Sequence, residues 1–202
     1  LAIEAAGRLV EYYDLRGDRE KAFAWSNFAN EHLAKMPHRM ADRDVAKIDG
    51  NRFQPEKLRV AHVINERALR EHTDILEALV RFYDRDRFEL IIYQQYDVLH
   101  PLTAILRVQV DDWFETYEIN DPTLTHIIAN DEVHIIVDWC GLYPGHRQSV
   151  LAAKPARLNL SFLGLMPERL SSVMNGQIRF EAGGAQCFHM DVPGAFGSSS
   201  LS

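Results

Sequence analysis

The chain is predicted to be an α/β protein in which a parallel sheet carries helices on both faces, preceded by a helical hairpin. Three observations predict this. The runs LRVAHVI, FELIIYQQ, VHIIVDW and RLNLSFL are short and continuously apolar, the pattern of strands buried on both faces. Segments of helical periodicity separate them, and strand followed by helix, repeated, gives a parallel sheet with right-handed crossovers. Ahead of the first strand, residues 1–37 hold two helical patterns split by Gly17-Asp18.

In the hairpin, Leu9, Val10, Tyr12 and Tyr13 give the first helix an apolar face. Ala22, Phe23, Trp25, Phe28, Ala29 and Leu33 give one to the second, and Pro37 closes it. The small residue Ala29 falls where the two helices must cross closely. The stretch LVEYYDLRGDREKAFAWSNFANEHLAKMP resembles a tetratricopeptide repeat, with Gly17-Asp18 at its turn. The other reading is a plain helical hairpin. A repeat of this kind does not bury its face alone, and the chain also lacks an initiating Met, so it is expected to be a piece of something longer.

Residues 38–57 are polar and mixed in charge, with Gly50-Asn51 and Pro55. They predict a linker with a short helix around Arg43 to Ile48. The α/β region then spans residues 58–165. Strands are expected over 58–64, 88–95, 111–119, 133–139 and 157–163, and helices over 73–83, 102–108, 123–130 and 147–153. Asp121-Pro122 is a helix-start signal before the third of these helices. From residue 166 to 202 the chain is rich in Gly and Ser. QIRFEA is a candidate strand there, and the rest is expected to be loosely held.

Composition narrows the function classes. A formal charge of -7 argues against a binder of nucleic-acid backbones, which needs a basic stripe. No run of about 18 apolar residues predicts a membrane span, and LAIEAAGRL lacks the basic start of a signal peptide. Cys140 and Cys187 are far apart and outside any CxxC context, which fits a reducing, cytoplasmic setting. The nine histidines include no HExxH or other close ligand spacing, so no metal site is expected. Neither GxGxxG nor GxxxxGK[ST] occurs, and there is no GxSxG elbow.

Ligands of an open parallel sheet bind beyond the carboxyl ends of its strands. That rule selects Asn65 to Glu71, Gln94 to His100 and Trp139 to Arg147. In the third loop, Gly141 and Gly145 serve either a plain strand-to-helix turn or a close backbone approach to a ligand. A helix starting there can turn its free N–H groups to an anion such as phosphate, with Arg147 adding a bidentate contact. Asp138, at the end of the strand, is placed to meet a ligand. His134, inside the strand, is either a core residue or a reactive one. His72 is either a general base or a surface residue opening a helix.

KLRVAHVI, RDRFELIIY and above all DEVHIIVDWCGLYPGHRQSVLAAKPARLNLSFLG carry a further signal. The last follows the pattern D-x-I-H-I-L-V-D-x-x-G-Y-T-x-G-x-R-x-x-x-x-A-x-R-P-A-P-x-Q-x-x-x-L-G. The region from Lys57 to Gly164 thereby resembles the first catalytic lobe of the O-linked N-acetylglucosamine transferases and their SPINDLY-type relatives. The resemblance implies a Rossmann-like lobe of a two-lobe glycosyltransferase, preceded by tetratricopeptide-like helices that recruit protein substrates. It implies transfer of N-acetylglucosamine from UDP, the donor substrate, to Ser or Thr hydroxyls, with no metal or other cofactor.

His134, Gly141, Gly145 and Arg147 match family positions, and Tyr143 stands one residue beyond the family's tyrosine. His72 and His134 are the catalytic candidates. Asp138, Gly141, Tyr143, Gly145 and Arg147 are the substrate-binding ones. Arg70 stands where the family has the histidine of its G-N-H-P loop, and the likeness stops after Gly164. Most family contacts to UDP come from a second lobe, so this chain alone is expected to be inactive and to self-associate through the face that lobe would cover. The alternative function is a non-catalytic protein-binding scaffold built on a degenerate lobe.

Overall fold

The structure is a computed structural model that describes residues 2–35, 56–97, 100–162, 174, 176–180 and 188–190. Helices α1 (Ala2–Leu15) and α2 (Arg19–Ala34) form the hairpin. Gly17 takes a positive φ of 72° at its turn, a conformation that costs glycine little. The hairpin packs on small residues rather than on its aromatic ones. Ala6, Gly7 and Val10 of α1 and Ala22 and Ala29 of α2 are buried, whereas Tyr12 and Phe23 of the expected face lie about half exposed. Small side chains let the two axes approach, which forces larger ones outward. The expected linker helix around 43–48 lies outside the described residues.

The α/β region follows the expected alternation. Its elements are β1 (Leu58–Ile64), α3 (Glu66–Glu71), α4 (Thr73–Phe82), β2 (Phe88–Gln94), α5 (Pro101–Arg107), β3 (Asp112–Glu115), α6 (Asp121–Asn130), β4 (Ile135–Asp138), α7 (Gln148–Ala152), β5 (Leu158–Phe162), β6 (Gly176–Phe180) and β7 (Phe188–Met190). The sheet order is β3-β2-β1-β4-β5-β6-β7. Every neighbouring pair from β3 to β6 is parallel, and β7 runs antiparallel to β6. This is a Rossmann-like sheet with its switch point between β1 and β4.

Period-two alternation sends each strand's side chains to two cores. Ala61, Val63, Ile91 and Tyr93 join Leu124, Ile128, Val150 and Leu151 under α6 and α7. Ile64, Leu90 and Ile92 join Leu69, Leu76, Val80 and Leu106 under α3, α4 and α5. Both faces are therefore covered, as the continuous apolar runs require. Among the described residues no helix is long and apolar enough to cross a membrane.

Three local expectations change. The strand predicted over 111–119 stops at Glu115, because the backbone turns there and Ile119 N–H bonds the Thr116 carbonyl at 3.1 Å. The loop after β1 contains the helix α3, which Asn65 nucleates by accepting Ala68 N–H on its side-chain oxygen at 2.9 Å. The tail adds two strands rather than one, and β6 pairs with the free edge of β5, satisfying its backbone groups. Apart from Met174, which is buried in the core under α6 and α7, the remainder of the tail lies outside the described residues.

Candidate functional site

The loops after β1, β2, β3 and β4 converge at the switch point, and polar side chains tie them together. At the end of β4, Asp138 is fully buried. One carboxylate oxygen accepts Cys140 N–H at 3.0 Å. The other accepts Gly141 N–H at 3.2 Å and the Gln148 side-chain amide at 2.9 Å. Gln148 also donates to the Gly141 carbonyl at 2.8 Å, so a single carboxylate fixes the start of the loop against α7. Gly141 has a φ of 57°, and this bonding holds the chain there.

Gly145 has a φ of 85°, and a Cβ on it would stand 3.0 Å from the Gln95 carbonyl oxygen and 3.2 Å from Asn65 Cβ. Both the conformation and the close approach require glycine. Asn65 donates to the Pro144 carbonyl at 2.9 Å, tying the β1 loop to the β4 loop.

Arg147 is the strongest tie. Its Nε donates to Gln95 Oε1 at 2.6 Å, and one terminal nitrogen donates to Asp121 Oδ1 at 2.7 Å. The other donates to the carbonyls of Thr116 and Tyr117 at 2.7 and 3.2 Å. Four of the five N–H donors of the guanidinium are thus spent on protein acceptors from the β2 and β3 loops and the start of α6. The helix behind it, α7, has only five residues, so its dipole adds little to an anion site.

The outer half of the loop seats on the hairpin. Leu142 is fully buried with Ala6 and Ala29. The Tyr143 hydroxyl donates to Asp14 Oδ2 at 2.9 Å, and the Arg67 guanidinium lies 3.5 Å from the centre of the Tyr143 ring. Arg67 also pairs with Asp14 at 3.2 Å. Between α1, His32 of α2 and the loop lies a cleft of about 590 Å³. Glu4, Arg8, Gln95, Tyr117, Asp121, His146 and Ser149 are among the residues that line it.

Of the residues singled out by sequence, the structure brings together Asp138, Gly141, Tyr143, Gly145 and Arg147 in one loop. It does not bring His134 to them. His134 immediately precedes β4, at the amino edge of the sheet, where its Nδ1 accepts Arg59 N–H at 2.8 Å. His72 stands between α3 and α4, where its backbone N–H bonds the Ala68 carbonyl. Two histidines that sequence reading passed over contact the site's elements. His62 is buried, accepts Trp139 Nε1–H at 2.7 Å, and is pushed down to about 3 by burial, so it stays neutral. His146 borders the cleft. Asn65 and Gln95 also escaped selection, although their positions just past β1 and β2 mark them.

Burial pushes the Cys140 thiol well up, so it is not a thiolate nucleophile. Among the described residues no group of three or more His, Cys, Asp or Glu side chains is arranged to hold a metal ion.

Burial also raises Asp138 to about 7 from an ordinary 3.8, against the pull of its N–H donors toward the ionised form. The folded state therefore binds this proton more tightly than the unfolded chain. The contribution of Asp138 to stability is full below about pH 4 and is lost as pH rises to about 7, by up to about 4 kcal/mol. Urea unfolding of wild type and Asp138→Asn across that range should show wild type losing stability relative to the variant. Parallel pH profiles would exclude the effect.

Protein-family models find no match to this chain, and the curated proteins hold none either. Its fold, however, is that of a solved O-GlcNAc transferase. The structure of a mutant O-GlcNAc transferase from Thermobaculum terrenum superposes over 89% of this chain with a TM-score of 0.61 and 22% sequence identity. The chain spans 38% of that protein's length. The likeness establishes a glycosyltransferase-type α/β fold for the region. In this chain that fold places the loop from Gly141 to Arg147 at the carboxyl edge of the sheet, against the hairpin.

Proposed function

We propose that this chain contributes the tetratricopeptide-like hairpin and first lobe of a glycosyltransferase that moves N-acetylglucosamine from UDP to Ser or Thr hydroxyls of cytoplasmic proteins. The observation that carries the reading is the unit β4–loop–α7–β5. A long family-like sequence pattern falls on the switch point of a sheet whose fold is shared with an O-GlcNAc transferase. In the complete reaction an acceptor hydroxyl displaces UDP at the anomeric carbon, and fixed N–H donors stabilise the charge that develops on the leaving diphosphate. The role of the loop is to shape the cleft beside the hairpin, and exposed Tyr12, Leu15 and Phe23, toward the hairpin's turn, offer apolar area to a protein partner. Asp138 and Arg147 act by holding that loop rather than by touching the sugar.

One observation favours a second reading, a non-catalytic scaffold. The polar groups of the loop are spent inside the protein: Arg147 on four acceptors, Tyr143 on Asp14, Asp138 on three donors. Titrating UDP while following tryptophan fluorescence separates the two, since Trp139 lies at the end of β4. Saturable quenching supports the transferase lobe, and a flat response supports the scaffold. In either case the chain alone is expected to give no UDP-N-acetylglucosamine-dependent labelling of a peptide.

A further inference from the structure

His146 sits in the seam between the hairpin and the lobe, half-buried at the border of the cleft. Among the described residues neither of its ring nitrogens has a hydrogen-bond partner, and both are closed off from solvent. A Cβ on Gly7 of α1 would stand 3.4 Å from the edge of its ring, so the helix lies directly over it. An imidazole without a partner is tolerable there only while it is uncharged, because burying an unpaired cation is far more costly than burying a neutral ring.

Among the described residues, the acidic groups nearest the ring are engaged with cations of their own. From α1, Glu4 is bonded to Arg8 at 3.0 Å. From α6, Asp121 is bonded to Arg147 at 2.7 Å. Tyr117 faces the cleft from the β3 loop, and His32 faces it from α2 with its Nδ1 2.9 Å from the Phe28 carbonyl. Each of these carboxylates is already paired with a cation, Asp121 in a largely buried pair and Glu4 in an exposed one that competes weakly for a proton on the ring. Burial accordingly shifts His146 downward, with Asp121 and Glu4 opposing the shift and Arg147 and the amino-terminal charge assisting it.

We propose that His146 is an acid-sensitive latch on the hairpin–lobe seam: neutral, it lets α1 close over the loop; protonated, it forces the seam to open. The sign follows from linkage. A histidine held below its unfolded value supports the closed form above about pH 6.5 and withdraws that support as pH falls. Opening exposes the loop that borders the cleft, so the cleft would change shape on mild acidification whichever ligand it takes.

The test is amide hydrogen exchange by NMR on the whole chain, corrected for intrinsic rates. The amides of Tyr143 and His146 bond only within the loop, to the Cys140 and Tyr143 carbonyls, so their protection depends on the cover that α1 provides. In wild type their protection should fall by up to about 30-fold between pH 7.5 and 5, the ratio set by an unperturbed imidazole pKa of ~6.5 in the open form. In His146→Gln the fall should vanish, and in His32→Gln it should persist. Asp138 acts with the opposite sign and so cannot imitate the effect. An equal fall in His146→Gln, or flat or rising protection in wild type, overturns the proposal. Should His146→Gln fail to fold, wild type still decides. Below about pH 6.5 the protection of these two amides should fall by up to about tenfold per pH unit while amides in the middle of the sheet keep theirs, and a fall shared equally by the sheet amides refutes the latch.

Discussion

Arg147→Ala is expected to destabilise the α/β region by about 3 kcal/mol, through loss of a largely buried ion pair and of the charged hydrogen bonds around it. The side chain is 13% exposed and Asp121 35% exposed, so solvent screens the Asp121 pair and the loss stays below that of a fully buried one. More important is what remains behind. Gln95 Oε1 and the Tyr117 carbonyl lose the Arg147 donor at once and the Thr116 carbonyl is left with Ile119 N–H, with Gln95 and Thr116 both buried. Arg147→Lys keeps the charge but not the planar fork. It can serve one or two of the four acceptors, so it should fall between wild type and alanine. Equilibrium urea unfolding reads all three. An alanine variant within about 1 kcal/mol of wild type would mean that Arg147 is not the tie between the three loops.

Gly7→Ala is expected to lift the hairpin off the lobe while leaving the lobe folded. A Cβ at this position would fall far inside van der Waals contact of the Leu142 carbonyl oxygen, and both partners are backbone, so neither can swing away. Forcing an extra methyl into a packed seam costs about 1–3 kcal/mol. Alanine also raises helix propensity over glycine by about 1 kcal/mol, so α1 itself should become more stable. The two effects have opposite signs and separate readouts. Helical circular dichroism should hold or rise, while Trp25, packed against Ala6, Ala29 and Leu142, becomes more accessible to a neutral quencher. Unchanged Trp25 accessibility would show that α1 tolerates the methyl and that the seam is looser than the geometry indicates.

The strand-helix order was legible in the sequence because it rests on local periodicity. Each buried strand must be apolar on both faces, and LRVAHVI or VHIIVDW says so without knowledge of its neighbours. The loop from Gly141 to Arg147 was legible for a related reason, since glycine between a strand and a helix signals a backbone conformation. Its chemistry was less so. Sequence reading assigned Arg147 outward, toward an anion, whereas its guanidinium turns inward to Gln95, Thr116, Tyr117 and Asp121. Nothing local distinguishes the two, because all four partners come from distant parts of the sequence, three from other loops and Asp121 from the start of α6. The third strand was overextended since Tyr117 and Ile119 have strand-like side chains while the backbone has already turned.

By itself the sequence determined an alternating α/β chain, a glycine-bordered turn after its fourth strand, and a hairpin of small and aromatic residues before its first. Only the tertiary structure decided that hairpin and turn share one seam. Asp14 and Tyr143 are 129 residues apart, and neither carries a local mark of the other. The same packing leaves no room for a side chain at Gly7 and, among the described residues, leaves the His146 ring nitrogens without a partner. Periodicity is a property of neighbouring residues, whereas burial, pairing and the protonation state they impose belong to surfaces that meet only after the chain has folded.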